Sequence, residues 1–465
     1  METRDLLEKI SNRILPHQDI FEVTSELIEK ISHALRGNDS EQLEYLLASL
    51  HSADIAKIYE QLSAEDRTEM TRYYGPELDP GVLAELEDNA LDQIIREMDD
   101  QVVIEAISQL ESDDAVDVLE DIDEKDRSRI IAAMPDGERL AVEEGLSYPE
   151  DSAGRMVQKN IITVPGAWTV GQVIDFLRSE ENLLAEFHEI FIVDPLHHAV
   201  GIISVSKLVC TEVNVPVSEV MNTDPKIISA DKDQEEVAHM FRQYDLTSMG
   251  VADENGRLLG MITIDDVVDV IDEEAEEDIL RMAGVQEADI TESVFEASRN
   301  RIVWLLVNLG TAILASMVIA VFDGTIEQMV ALAVLMPIVA SMGGNAGTQT
   351  MTVTVRSLAT KGLTSTNVKR VIFKELSIAT LNGTAIAIII GLLSFAYFDN
   401  SLLGGVIAAA MIINMVMAGL AGILIPLGLD RINIDPALAS SIFVTTITDV
   451  VGFLAFLGLA SLLLI

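Results

Sequence analysis

Residues 441–460 read SIFVTTITDVVGFLAFLGLA, and stretches of this kind decide the fold of the chain. Apart from Asp449, this stretch carries no charged residue. A helix of about 20 apolar residues crosses a hydrocarbon layer roughly 30 Å thick. The sequence therefore predicts a transmembrane helix over about residues 437–464, with one aspartate close to its middle.

Asp449 is an expensive residue at that depth. An aspartate at the centre of a spanning helix costs roughly 2.5 to 3.5 kcal/mol on insertion scales, so it normally faces a partner, a wet cavity or an ion path. We predict an ion path. The alternative is a carboxylate that hydrogen-bonds to Thr445, Thr446 or Thr448 on its own helix. The pattern places no other acid deep within a span.

Four more apolar stretches precede this one and follow residue 300, which predicts five transmembrane helices. The five stretches cover approximately residues 302–322, 326–355, 376–398, 402–429 and 437–464. Lysine and arginine collect in cytoplasmic links. The basic link lies between the second and third stretches and contains Arg356, Lys361, Lys369, Arg370 and Lys374. We therefore expect residues 1–300 in the cytoplasm and the carboxy terminus outside.

The second stretch is interrupted by Pro337 and by MGGNAGTQT, residues 342–350. Proline removes a helix hydrogen bond and glycine lowers helix propensity, so the pattern predicts local unwinding. Unwound carbonyls at membrane depth can coordinate cations where they line a wet cavity, and Asn345, Thr348 and Gln349 add polar groups. The alternative is a close helix crossing at small residues. Asn414 in the fourth stretch is typical of a hydrogen bond between helices.

The charge of the chain is unevenly distributed. The 465 residues carry a formal net charge of -46, and the acids and bases after residue 300 balance, so the excess lies before it. Such acidity disfavours binding to nucleic acid and to anionic lipid surfaces. The single cysteine, Cys210, excludes an internal disulfide and a thiolate zinc cage. The first residues, METRDLLEKISNRILP, lack the apolar core of a signal peptide, so we expect a cytoplasmic amino terminus.

The part before the membrane reads as three pieces. Residues 1–150 show short helical periodicities with turns between them, which predicts an acidic domain of stacked helix pairs. Residues 151–213 and 214–275 repeat the order strand, helix, strand, turn, strand, helix, with turn residues at Asp194-Pro195 and Asn255-Gly256. Residues 276–300 begin with acids and predict a helix that connects to the membrane part, residues 301–465.

The duplicated segment resembles a tandem pair of cystathionine-beta-synthase (CBS) domains, most strongly at Gly260-Met261-Ile262-Thr263-Ile264-Asp265-Asp266. CBS pairs often sense adenine nucleotides, and the resemblance implies that Thr263 and Asp266 hold the ribose of a nucleotide such as ATP. The first copy carries Ser204 and Lys207 in that register, which departs from the family pattern.

The whole chain resembles the MgtE family of magnesium channels: an acidic helical domain ending in YPEDSAGRMV, a CBS pair, a connecting helix, and five spans with GGNAGTQ and TTITDVVGF. The resemblance implies a homodimer with one pore on its twofold axis. The pore ion would be held at Asp449 together with Gly344, Asn345 and Gly347. Oxygen ligands of this kind suit Mg, Ca or Mn rather than zinc or copper.

The resemblance also implies regulatory Mg²⁺ ions between the cytoplasmic domains. Their ligands would be acids of the helical domain, the second CBS copy, the connecting helix and the pore mouth. They are Asp113, Asp117, Asp233, Glu235, Asp245, Asp266, Asp269, Glu274, Glu277, Asp278 and Asp435. Asp113, Asp114 and Asp117 also lie at a helix start, where the helix dipole alone favours acids.

These expectations together describe a Mg²⁺ channel in the cell membrane that closes when cytoplasmic Mg²⁺ is high. Divalent cations that bridge facing carboxylates would cancel their repulsion and draw the acidic domains together. One alternative is a divalent cation exchanger coupled to H⁺ or Na⁺. Another is a membrane enzyme regulated by CBS domains, for which the sequence offers no HExxH motif and no glycine-rich phosphate loop. We expect no enzymatic activity.

Overall fold

The computed structural model describes residues 23–179, 187–285, 294–364, 366–432 and 434–464. The structure divides into two compact units between Val270 and Ile271. The first unit holds the acidic helices and the duplicated segment, and the second holds the membrane helices.

Ten short helices form the first part of the first unit, as the repeated periodicity predicts. They are α1 (Ser25–Gly37), α2 (Ser40–Leu47), α3 (Ser52–Gln61), α4 (Ala64–Tyr74), α5 (Gly81–Ala84), α6 (Asp88–Glu97), α7 (Asp100–Ile107), α8 (Ser112–Glu120), α9 (Glu124–Ala133) and α10 (Asp136–Gly145). Polar residues begin several of them, because a side-chain oxygen of Thr24, Asp39, Ser63 or Asp99 accepts a backbone N–H of the first turn. The helices share one apolar core, in which Ile58 and Ile94 are fully buried.

The duplicated segment forms two three-stranded sheets of the same topology. The first copy contains β1 (Thr163–Pro165), α11 (Val170–Ser179), β2 (Glu189–Val193), β3 (Ala199–Ser204), α12 (Val205–Val209) and α13 (Val217–Val220). The second contains β4 (Ile227–Ser229), α14 (Gln234–Tyr244), β5 (Ser248–Ala252), β6 (Leu258–Thr263) and α15 (Ile264–Met282). In each copy the first strand is parallel to the second, and the second is antiparallel to the third. The predicted order of elements is confirmed.

The two hairpin turns are held by the same kind of hydrogen bond, from backbone N–H groups to an aspartate side chain. Asp194 Oδ1 accepts the N–H groups of Leu196 and His198, and Asp253 Oδ1 accepts those of Asn255 and Arg257. An aspartate that bonds to the backbone two residues on is a common turn-former. The equivalent turns therefore arise from equivalent residues in the duplication.

Five long apolar helices form the second unit, as predicted. They are α16 (Val294–Val321), α18 (Ala331–Ala359), α19 (Val368–Phe398), α20 (Ser401–Asp430) and α21 (Pro436–Leu463), with the short α17 (Asp323–Gln328) after α16. Small residues let neighbouring helices approach closely. A Cβ atom added at Gly391 would lie 3.0 Å from the carbonyl oxygen of Gly404, which shows how close α19 and α20 come.

The predicted unwinding of the second span is wrong. Helix α18 is continuous through Pro337 and the following glycines. Proline removes one hydrogen bond, and the neighbouring bonds of a long helix remain. The glycines serve packing instead: a Cβ atom at Gly343 would overlap Asn414 of α20, and one at Gly347 would overlap Val444 of α21. The alternative, a close crossing at small residues, is the observed arrangement.

The connecting segment begins as part of a CBS helix. Helix α15 runs without a break from Ile264 to Met282, so it includes the start of the predicted connecting helix. Residues 286–293 of that prediction lie outside the described residues, and α16 begins at Val294.

Candidate ion path and acidic control sites

Asp449 lies half-buried near the middle of α21. The nearby hydroxyls do not satisfy it, because Thr445 donates to the carbonyl of Ser441 at 2.8 Å and Thr448 donates to the carbonyl of Thr445 at 2.9 Å. Thr446 likewise donates to the carbonyl of Ile442. Among the described residues, no hydrogen bond or ion pair reaches the Asp449 carboxylate. The alternative of a carboxylate satisfied on its own helix is therefore wrong.

The close crossing of α18 and α21 fixes the surroundings of this carboxylate. Gly347 faces Val444 and Thr448, and the Thr448 methyl lies 3.5 Å from where a Cβ atom of Gly347 would stand. Asp449 follows Thr448 directly, so it lies at the level of this contact. Gly344 has open space where its Cβ would be. The structure thus brings Gly347 to the level of Asp449 and leaves the Gly344 side uncovered.

A polar stripe follows one face of α18. Ser341, Asn345, Thr348 and Thr352 are all exposed and recur at helical spacing, so they share one face. Polar groups in a membrane-spanning helix normally face other protein or water rather than lipid. This stripe therefore predicts a wet or protein-covered surface along α18.

Asn345 also lines a small cavity of about 230 Å³ between α18, α19 and α20, together with Gln349 and Asn382. Asn345 lies on a different face of α18 from Gly347, so these two predicted pore residues do not point to one spot. The sequence interpretation missed Asn382. A single amide side chain within the apolar run of the third span was the signal that could have found it.

Asn414 joins two helices at the same depth, as predicted. It is fully buried in α20, and its Nδ2 donates to the carbonyl of Val339 in α18 at 2.8 Å. A Cβ atom at Gly452 of α21 would also crowd this side chain, with Nδ2 at 2.7 Å. Asn414 therefore holds three helices at one point.

A second acid is buried in a span, contrary to the expectation that Asp449 would be alone. Glu375 lies in α19 and is only 6% exposed. Helix α19 begins at Val368, well before the predicted start of the third span. The prediction failed because Lys369 and Lys374 marked these turns as a link, whereas long basic side chains at a helix end reach the membrane surface.

The helical domain and the second CBS copy bring several acids together within the first unit. Burial, followed by repulsion from Asp266, raises the pKa of Asp113 well above its usual range. Burial and neighbouring carboxylates, chiefly Glu111 and Asp265, raise the pKa of Asp114 to about 6. Burial also raises the pKa of Asp266 to about 6.

The acidic cluster of Asp113, Asp114 and Asp266 therefore holds carboxylates that resist ionisation. Asp113 is 7% exposed, and its Oδ1 has no hydrogen-bond partner among the described residues. The charged groups that shift these pKa values are all acidic.

A short backbone segment, residues 157–159, positions the acidic cluster. The hydroxyl of Ser112, beside Asp113, donates to the carbonyl of Val157 at 2.9 Å and accepts the N–H of Lys159 at 2.8 Å. Gln158 exchanges two backbone hydrogen bonds with Met261 in β6, shortly before Asp266. The segment between the helical domain and the first CBS copy thereby holds α8 against the second copy.

The predicted nucleotide residues lie side by side. Thr263 Oγ1 donates to Asp266 Oδ2 at 2.8 Å. In the first copy, Ser204 instead caps α12 by accepting the N–H of Lys207 at 3.4 Å. The two copies therefore offer different side chains at equivalent positions.

Four predicted regulatory acids lie apart from the acidic cluster or on exposed faces. Asp233 caps the start of α14 by accepting the N–H of Glu235 at 2.9 Å, and Asp245 ends the same helix with a φ of 51°. Eleven residues of helix lie between the two, which separates them by about 18 Å. They cannot bind one ion together. Asp117 and Asp269 are exposed.

Acids of the connecting segment meet Asp435 in the second unit. Arg281 Nη1 donates to Asp435 Oδ2 at 2.6 Å, and Arg281 also pairs with Glu277. Asp435 Oδ1 accepts the N–H of Ala437 at 2.7 Å and thereby caps α21. Burial and Asp435 together raise the pKa of Asp278. Glu274 is half-buried one turn earlier.

Three family matches cover successive parts of the chain. The MgtE family, described as a divalent cation transporter, matches residues 336–459. The MgtE intracellular N domain matches residues 50–151, and the CBS domain matches residues 217–273.

Two curated relatives agree with these matches, and one solved structure is similar over part of the chain. The magnesium transporter MgtE of Thermus thermophilus is 32% identical over 94% of this chain and 98% of its own length. The MgtE of Bacillus subtilis is 32% identical over 71% of this chain and 74% of its own length. The crystal structure of the cytosolic domain of the Mg²⁺ channel MgtE in complex with ATP is 28% identical, covers 52% of this chain and 99% of its own, and gives a TM-score of 0.49.

Proposed function

Because the chain belongs to the MgtE family of magnesium transporters, we propose that it is a Mg²⁺ channel whose ion path passes Asp449 and whose opening is controlled by cytoplasmic Mg²⁺. The chain is a multi-pass membrane protein of a magnesium transporter family, which supports a function in Mg²⁺ transport. We propose the channel mechanism, the gate and the residues that form them.

The observation that carries the proposal is the unpartnered carboxylate of Asp449 at mid-membrane depth. A charge there is costly unless something compensates it, and a passing cation does so. Mg²⁺ gives up its water shell reluctantly. Asp449 would therefore attract the hydrated ion through its water shell. Because α18 is continuous, its backbone carbonyls are not the ligands, and Gly344 and Gly347 act through the space they leave.

A single chain cannot enclose this path, because the Gly344 side is uncovered. A second copy related by a twofold axis would cover that side and would bring two Asp449 carboxylates to one pore. We therefore propose a homodimer with one central pore. The basic link after α18 would face the cytoplasm, so that residues 1–300 are cytoplasmic and the carboxy terminus is outside.

The acidic cluster would be the sensor. Cations that bind between Asp113 and Asp266 would relieve the repulsion that raises their pKa values and would hold α8 against α15. Helix α15 continues into the connecting segment, so the second CBS copy and the pore mouth share an element. Swinging a gate from 1:99 to 99:1 requires about 5.5 kcal/mol, which several ions could share.

The remaining predicted ligands would contribute to the same response at secondary sites. They are Asp117, Asp233, Glu235, Asp245, Asp269, Glu274, Glu277 and Asp278, whereas Asp435 is already bonded to Arg281. High cytoplasmic Mg²⁺ would then close the pore and low Mg²⁺ would open it, which is negative feedback.

We also propose that ATP binds the second CBS copy at Thr263 and Asp266. The hydroxyl and carboxylate stand together as a ribose would require. Because Asp266 also belongs to the acidic cluster, nucleotide and Mg²⁺ binding would be coupled there.

The test is to record Mg²⁺ current across lipid patches that contain the purified protein while cytoplasmic-side Mg²⁺ rises from near zero. Asp449→Ala is compared with Asp399→Ala, which removes an acid at a helix end. We expect native current that falls as Mg²⁺ rises, no current with Asp449→Ala, and native behaviour in the control. Mg²⁺ flux that requires a proton or sodium gradient, without current, would replace the channel by an exchanger.

A further inference from the structure

The end of α15 packs against the cytoplasmic ends of the membrane helices. Met282 contacts an apolar cluster that contains Met351 of α18, Ala421 of α20 and Ala437 of α21. Two residues later, Gly284 adopts a φ of 76°, and a Cβ atom there would lie 3.8 Å from Trp304. The end of the connecting segment is therefore packed against the membrane helices of the second unit.

Arg281 supplies the polar part of this docking. Its guanidinium bonds to Asp435 across 154 positions of the chain, and it also pairs with Glu277 one turn earlier on its own helix. Its side chain is 32% exposed and that of Asp435 is 28% exposed. Hydrogen bonds between two charged groups are roughly twice as strong as neutral ones.

Asp435 has no oxygen to spare in this arrangement. One oxygen accepts from Arg281 and the other caps α21 through the N–H of Ala437. An inner-sphere metal ion at Asp435 would have to displace one of these bonds. The cation that Asp435 binds while the segment is docked is the guanidinium.

The local charge supports the same conclusion. Glu277, Asp278 and Asp435 carry three negative charges when ionised, and Arg281 carries one positive charge. The two negative charges that remain are what one divalent cation would neutralise. Arg281 therefore leaves less repulsion for Mg²⁺ to neutralise.

We propose that Arg281 is a built-in cation that latches the connecting segment to the pore mouth, so that docking has a part that needs no metal ion. Arg281 is a positioning residue: it touches neither the ion path nor Asp449. The latch sets how much Mg²⁺ is needed to close the pore. This inference rests on the proposed gate.

The first test measures the cytoplasmic Mg²⁺ concentration that halves the flux. Arg281→Gln keeps much of the side chain and removes its charge, so we expect half-inhibition at about tenfold higher Mg²⁺, the scale of one charge-assisted bond. Arg281→Lys should restore most of the native value. Arg431→Gln, which removes an exposed charge near the same surface, is the matched control and should behave like the native protein.

The second test uses no metal. In EDTA, amide hydrogen exchange of residues 277–285 in the full-length protein should be about tenfold faster in Arg281→Gln and in Asp435→Asn than in the native protein. Asparagine can still cap α21, so Asp435→Asn removes only the ion pair. The double variant should exchange no faster than either single variant, because both remove the same bond.

The outcomes separate this inference from the proposed function. Native protein that transports no Mg²⁺, or whose flux ignores cytoplasmic Mg²⁺, would overturn the gate, and the exchange test would still decide the latch. Half-inhibition at lower Mg²⁺ in Arg281→Gln would show that Arg281 competes with Mg²⁺ for Asp435 and would overturn the latch. Unchanged exchange in both variants would overturn it as well.

Discussion

Asp435 and Asp449 lie on the same helix, about 21 Å apart along its axis at 1.5 Å per residue, and the structure treats them differently. At the pore mouth, Asp435 is bonded through both oxygens, to Arg281 and to the start of α21. At mid-membrane depth, Asp449 has no partner among the described residues. The residue type alone therefore does not mark an ion site. What matters is whether the fold has already used the carboxylate.

The largest expected effect comes from changing the two residues in parallel. Asp449→Asn should lower Mg²⁺ flux about 1,000-fold, because unit charges 4 Å apart attract by roughly 4 kcal/mol at intermediate dielectric and every 1.4 kcal/mol is a factor of ten. Asp435→Asn should keep flux at low Mg²⁺ within about twofold of native, since asparagine still caps α21. Magnesium uptake into proteoliposomes measures both. Equal losses of Mg²⁺ flux in the two variants would show that Asp435 and Asp449 do not differ in their roles.

A second prediction concerns the crossing that surrounds Asp449. Gly347→Ala would push a methyl group into Val444, so we expect a destabilisation of about 3 kcal/mol and loss of flux. Gly405→Ala on α20 meets open space and is the control. Thermal unfolding in detergent, measured together with flux, checks both variants. Native stability and flux in Gly347→Ala would show that this crossing has room for a methyl group.

A third prediction extends the comparison to the acidic cluster, where several carboxylates lie close together. Aspartates whose pKa is raised to about 6 bind more protons folded than unfolded, so stability falls as pH rises from about 4 to 6 and stays reduced above it. The loss is on the order of 3 kcal/mol for each of Asp114 and Asp266, since each pKa rises by about two units and one unit corresponds to about 1.4 kcal/mol.

Hydrogen exchange of the full-length protein in EDTA measures this loss. After correction for intrinsic rates, the peptide of α8 should be less protected at pH 7.5 than at pH 5, and Mg²⁺ at pH 7.5 should restore its protection. The peptide of α3 serves as the reference. Protection of α8 that rises with pH in EDTA would contradict the prediction.

The smallest effect is expected at Thr263. Thr263→Val removes one hydrogen bond to Asp266 and keeps the shape of the side chain, so we expect a loss of about 1 kcal/mol in the stability of the first unit. Ser204→Val removes the corresponding cap in the first copy, which faces no acidic cluster. Only Thr263→Val should change the Mg²⁺ dependence of α8 protection. An identical Mg²⁺ dependence in the two variants would show that Thr263 does not influence the acidic cluster.

The sequence predicted the features that depend on composition along one element. Five apolar runs, the duplicated strands and the mid-span position of Asp449 follow from periodicity, and Asn414 follows from the cost of a lone amide in a membrane. Glu375 was missed because the start of α19 depends on where the membrane surface lies, and the basic residues beside it imitate a link.

Features that depend on tertiary contact were not predictable in the same way. Pro337 and the glycines of α18 are compatible with unwinding or with close packing, and only the positions of Asn414 and Val444 decide between them. The bond between Arg281 and Asp435 joins residues far apart in the chain, so no local pattern signals it.

The unbroken course of α15 through Glu277 and Arg281 also fixes an angle. Each residue of a helix turns the next by about 100°, so the direction of Arg281 relative to Glu277 is set by the number of residues between them. Inserting one residue between these two positions would swing Arg281 by a quarter turn or more, whereas inserting seven would return it to within about 20°. The number of residues in this stretch of helix is therefore constrained, in addition to their chemistry.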